Sequence, residues 1–135
     1  MRRAVVVLLV TTVLMVLVFN LSSCEKERSS PPAISFTTTS PYVYSDTVLY
    51  RQSIFNVKVN ASKVSLNDLL TSGKITRSIN GGPDSTLLDM SFFSQNFAQF
   101  YSFTAGDSGN VEKYTFSFGT QQGQSASASL TISVN

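Results

Sequence analysis

"EKYTFSFGTQQGQSASASLTISVN", residues 112–135, carries the clearest structural pattern in the chain. Tyr114, Phe116 and Phe118 alternate with Thr115 and Ser117, and Ala126, Ala128, Leu130, Ile132 and Val134 alternate with Ser127, Ser129, Thr131 and Ser133. Successive side chains on a strand point to opposite faces, so a period of two marks a strand with one buried and one wet face. Two such runs separated by a short glycine-containing stretch predict a pair of neighbouring strands.

Upstream, the same period recurs. Phe55, Val57 and Val59 alternate with Asn56, Lys58 and Asn60. Weaker strands are expected at residues 74–79, 86–91 and 96–103, separated by Asn80-Gly81-Gly82-Pro83 and Gly106-Asp107-Ser108-Gly109, whose glycines and asparagine supply the positive φ of tight turns. Val64, Asn67 and Asp68 lie at helical spacing, so one helical turn is expected there. Ile34 and Phe36 alternate with Ser35 and Thr37 and suggest an edge strand beginning earlier still.

Composition narrows the possible functions. The formal net charge is +2, and Arg2 and Arg3 account for all of it. The remainder is balanced, with no basic field to attract phosphates, and nucleic acid is excluded as an expected partner. The chain holds 10 Phe, 5 Tyr, 1 Cys and no His, so its core must be built from aromatic and aliphatic burial without a disulfide within the chain.

The first residues read as a targeting segment. Two arginines precede an apolar run from Ala4 to Phe19, interrupted only by Thr11 and Thr12, and small residues follow at Ser22 and Ser23. Helical crossing of a bilayer takes about 20 apolar residues, and this run falls short, which favours a cleaved signal over an uncleaved anchor. Leu21-Ser22-Ser23-Cys24 resembles the lipobox of bacterial lipoproteins. That resemblance implies cleavage before Cys24, a diacylglycerol on its sulfur and an N-acyl chain on its new amino group. No other cofactor is expected. Glu25-Lys26-Glu27-Arg28 resembles the charged start of mature Gram-negative lipoproteins, which implies the outer membrane and leans towards the cell surface over the periplasmic face. Residues 25–40 then read as a tether, rich in Ser, Thr and Pro.

The sequence from Glu112 to Asn135 also resembles the last two strands of immunoglobulin-like domains of bacterial surface lipoproteins, with Tyr114 at the place of the tyrosine corner. The tryptophan and the disulfide of antibody domains are absent. The chain is therefore expected to be all-β: an immunoglobulin-like two-sheet antiparallel sandwich of about seven strands over residues 41–135. A signal peptide at 1–23 and a lipidated cysteine with a flexible tether at 24–40 precede it.

Chemistry is sparsely provided. Without histidine there is no Ser-His-Asp triad, and no metal site is expected. Asp84 and Asp89 flank one predicted strand as a conceivable carboxylate pair, Asp107 to Asn110 with Glu112 lacks the acids of a calcium loop, and Gly73-Lys74-Ile75-Thr76 lacks the first glycine of a phosphate loop. No catalytic residue is assigned, and the chain is read as not an enzyme, an envelope hydrolase being the reading of another class. Asp46-Thr47-Val48 and Asp84-Ser85-Thr86 resemble an O-glycosylation acceptor pattern of bacteria rich in surface lipoproteins, which implies Thr47 and Ser85 as acceptors. Tyr42, Tyr44 and Tyr50 are candidate ligand contacts, and one ring of Phe92-Phe93 is expected to be exposed, since strand neighbours face opposite ways. The functional expectation is a lipid-anchored envelope protein with a binding or structural module. The alternative is a surface glycan-binding lipoprotein of a starch-utilisation-like uptake system. The bilayer is the implied partner, with other envelope proteins or glycans beside it.

Overall fold

The computed structural model describes residues 29–135; the signal peptide expected at 1–23 and the Leu21 to Cys24 box lie outside the described residues. The alternating stretch at the chain's end forms two 10-residue strands, β7 (Val111–Thr120) and β8 (Ser125–Val134), paired antiparallel with Phe116 opposite Ala128. Glu112, Tyr114, Phe116 and Phe118 on β7 and Leu130, Ile132 and Val134 on β8 are buried, as the period predicts.

Six further strands complete the molecule: β1 (Ala33–Phe36), β2 (Thr47–Leu49), β3 (Ile54–Ser62), β4 (Leu70–Ile79), β5 (Ser85–Ser94) and β6 (Asn96–Thr104). They form two sheets, one of order β1-β3-β6 and one of order β2-β8-β7-β4-β5. The all-β two-sheet sandwich is confirmed, with eight strands where about seven were expected. All pairings are antiparallel except that of the short β2, which runs parallel to β8. This division of the first strands between the two sheets lets the chain cover both edges of the core at its start. β1 pairs with β3, Ile34 opposite Ala61, so the folded part begins inside the stretch assigned to the tether. Residues 65–68 make a single turn, closed by the Asp68 N–H on the Ser65 carbonyl at 3.4 Å, where a helical turn was expected.

Rings fill the space between the sheets. Phe103 of β6 lies 4.8 Å from Tyr114, 5.6 Å from Phe55 and 6.2 Å from Phe116, centroid to centroid, while Phe36 meets Phe116 edge-on at 5.3 Å. A second group, Phe92, Phe97 and Phe118, packs at 5.1 Å between successive rings. Offset and edge-on pairs like these add about 0.5–1.5 kcal/mol each beyond the area they bury. Gly73 makes room for the second group: a Cβ there would lie 3.1 Å from the Phe118 ring and 3.3 Å from Met90 and Phe92.

The sandwich has two distinct ends. Asn80 and Gly81, at φ 52° and 71°, form a two-residue hairpin turn closed by the Gly82 N–H on the Ile79 carbonyl at 2.9 Å. That turn shares one end with residues 50–53, the β6–β7 loop and Asn135, whose carbonyl accepts the Arg51 N–H. The opposite end gathers residues 63–69, the β5–β6 link, the β7–β8 turn and the first described residues, with the Ser30 N–H on Ser65 Oγ at 2.8 Å and the Lys63 N–H on the Gln95 carbonyl at 2.9 Å.

Candidate functional site

The candidate site residues divide between these two ends and the outer faces. At the end near Asn135, the alternation of β7 continues one step beyond the aromatics and points Glu112 into the core, fully buried. Its Oε2 accepts the Tyr114 hydroxyl at 2.9 Å, and its Oε1 accepts the Gly106 N–H at 3.2 Å. Arg77 of β4, opposite Tyr114 in register, brings NH1 to 3.9 Å from the same Oε1, while its buried Nε takes no hydrogen bond. Burial, reinforced by the bond to Glu112, pushes the Tyr114 phenol up to about 12. The tyrosine at the expected corner therefore bonds to a carboxylate two residues back on its own strand, whereas the antibody corner bonds to backbone.

At the other end, Asp68 is buried and acts as a knot. Its Oδ1 accepts the N–H groups of Leu69 at 2.9 Å and of Gln122 at 3.2 Å, and its Oδ2 accepts the Ser29 hydroxyl at 3.3 Å. Burial alone would raise this carboxyl, but these bonds together with the Thr120 hydroxyl outweigh it and hold the group below its ordinary value of 3.8. A carboxyl held low contributes stability above its unfolded value and loses it as the pH falls through the folded one. The gap in melting temperature between the native chain and Asp68→Asn is therefore expected to be widest above pH ~4 and to shrink below it. Thermal melts at stepped acidic pH measure this, and a gap unchanged with pH would count against the assignment.

The tyrosines are distributed. Tyr42 bridges to Asn56 beside the three-stranded sheet, with Lys58 Nζ 5.9 Å above its ring. Tyr44 is exposed on the way to β2, and Tyr50 stands at the far turn, 78% exposed. No ring pair among the described residues joins these three. Thr47 opens β2 beside a hollow of about 270 Å³ that Asp46, Val48, Thr131 and Ser133 also line. Asp46 is engaged there, accepting the Thr131 N–H at 2.7 Å. Ser85 opens β5, exposed, and donates to the Arg77 carbonyl at 3.0 Å.

The carboxylate pair does not form. Asp84 lies in the turn and Asp89 on the outer face of β5 opposite Lys74, a separation on the order of 15 Å at strand rise, beyond either glycosidase spacing. Asp107 to Asn110 is a turn, the Asn110 N–H reaching the Asp107 carbonyl at 3.2 Å, and Glu112 faces away from it into the core. No group of three or more His, Cys, Asp or Glu that could hold a metal occurs among the described residues. Phe93 is the exposed ring of its pair, at 76%, while Phe92 packs inward. A second hollow, about 260 Å³, lies near Ser35, Asn60 and Ala98.

Neither Glu112, read beside an incomplete calcium loop, nor Asp68, read in a helical turn, is expected from the sequence to be a buried carboxylate. For Glu112 a signal existed, since it sits in phase with Tyr114, Phe116 and Phe118. For Asp68 there was none, because its partners come from residues 29, 120 and 122.

No family model matches the chain, and no curated protein matches it. Among solved structures, it is similar to superoxide reductase (neelaredoxin) from Ignicoccus hospitalis, with a TM-score of 0.50 and 12% identity over 79% of this chain and 82% of that one. A variant of that protein gives 0.52 and 11%, covering 84% and 86%. Identity this low shows a shared fold alone. It does correct one expectation. The chain was read as not an enzyme, yet solved structures of this fold include a reductase, so the sandwich gives no ground for excluding catalysis.

Proposed function

We propose that this chain is a lipid-anchored protein of the bacterial outer membrane, attached through acyl chains on Cys24, whose sandwich serves as a binding or structural module among envelope proteins and glycans. The observation that carries this reading is the register of basic start, apolar run and Leu21-Ser22-Ser23-Cys24 box, followed within a few residues by the folded part. A single acyl chain binds a bilayer only marginally, at about 0.8 kcal/mol per buried CH2, whereas the two or three implied here make attachment effectively permanent. The charged residues 25–28 favour display on the outer surface.

Metabolic labelling with a fatty-acid probe tests it. The native chain is expected to take up label and partition with membranes, and Cys24→Ser to do neither. A product that is unlabelled and water-soluble with its native cysteine in place would overturn the proposal.

A further inference from the structure

We infer that residues 63–66, at the end of the sandwich where the chain enters, dock onto the phospholipid surface and hold the domain against the bilayer as a second contact; this rests on acylation of Cys24. Only four residues, Glu25 to Arg28, separate Cys24 from Ser29. An extended chain spans at most about 3.6 Å per residue, so Ser29 stays within roughly 18 Å of the anchored sulfur. Ser29 is not free to swing away from the domain: its hydroxyl bonds to Asp68 Oδ2 at 3.3 Å, and the next N–H bonds to Ser65 Oγ at 2.8 Å. The strands that run from this end to the other are about 30 Å long, so the link holds the entering end close to the headgroups and leaves the opposite end without such a restraint.

That end is suited to the task. Ser65, which holds the entering chain, is flanked by Val64 and Leu66, exposed to 56% and 78%. Phe93, at the penultimate position of β5 on the same end, is 76% exposed. Lys63 places its ammonium 2.6 Å from the Leu66 carbonyl, beside these apolar groups, where its charge meets phosphate. Of the acids among the described residues, Asp68 alone belongs to this end, and it is buried and fully bonded. Asp84 and Asp107 lie at the opposite one. Exposed aliphatic groups beside a cation, with no exposed carboxylate among the described residues of this end, match the boundary between headgroups and acyl chains.

The chain contains no tryptophan, so one introduced ring reports a single position. The full acylated chain bearing Leu66→Trp is reconstituted into vesicles of phosphatidylethanolamine and phosphatidylglycerol with brominated acyl chains, beside a chain bearing Ser108→Trp at the opposite end. Emission from position 66 is expected to fall roughly two-fold relative to unbrominated vesicles, and emission from position 108 to stay unchanged. Flotation of the same samples reports anchoring separately. A chain that floats with its vesicles but shows no quenching at 66, or equal quenching at both positions, overturns the docking alone. A chain bearing its native Cys24 that does not float overturns the anchor, and the docking with it.

Discussion

Replacing Glu112 by alanine is expected to lower the melting temperature by roughly 10–20 °C, equivalent to about 2–4 kcal/mol in a domain of this size. The loss has two sources. The Tyr114 hydroxyl and the Gly106 N–H both donate to this carboxylate within the core, and each becomes an unpaired donor when it is removed. Arg77, about a third exposed, loses its nearest countercharge but keeps access to water, so the ion pair contributes the smaller share. Glu112→Gln keeps one acceptor oxygen, for the Gly106 N–H, and turns its NH2 towards the Tyr114 hydroxyl, which then accepts instead of donating, so this change is expected to cost about 1 kcal/mol. Tyr114→Phe leaves Oε2 without its donor, and combined with Glu112→Ala it is expected to cost less than the two single changes added together, because both act on one bond. Thermal melts of these chains decide the matter. If Glu112→Ala melts like the native chain, the buried cluster is not what holds that end of the sandwich together.

Phe116→Ala is expected to cost about 3–5 kcal/mol, a large part of the total stability of a single domain. Phe116 is fully buried, meets Phe36 edge-on and Phe103 at 6.2 Å, and lies opposite Ile75 on one side and Ala128 on the other. Rings from both sheets meet there, and none has room to move into the space that alanine would leave. The same substitution at the exposed Phe93 is expected to change stability by no more than about 0.5 kcal/mol. Chemical denaturation of the two variants side by side provides the check. Equal losses at the two positions would mean that the aromatic layer is not the source of cohesion.

Where one face of a strand is wet and the other buried, the sequence says so plainly. Phe55 to Asn60, Tyr114 to Phe118 and Ala126 to Val134 are all strands, with the expected side chains inward. β5 was harder to delimit, because Leu87 and Phe93 on its outer face are as apolar as Leu88 and Phe92 on its inner one, which blurs the period. β1 lies in a stretch whose Ser, Thr and Pro content reads as linker, and the alternation of Ile34 and Phe36 marks it as an edge strand all the same; composition misplaces only the start of the folded part, which comes before residue 41. The turn at Asn80-Gly81 was legible from its two residues alone, as positive φ at both positions leaves few alternatives. The carboxylate network around Asp68 was not, because its partners are set by tertiary contact. The three tyrosines show the converse: closeness in sequence did not become closeness in space, since the chain passes from one sheet to the other between Tyr42 and Tyr50.

The packing of Phe36, Phe55, Phe103, Tyr114 and Phe116 has a consequence for where such a domain can stay folded. Its cohesion comes from contact between rings and from backbone pairing, with no sulfur bridge among the described residues, so neither oxidant nor reductant has a covalent crosslink in it to make or break. Thiol–disulfide poise, which decides the fate of many small exported proteins, is therefore a condition to which this sandwich is indifferent.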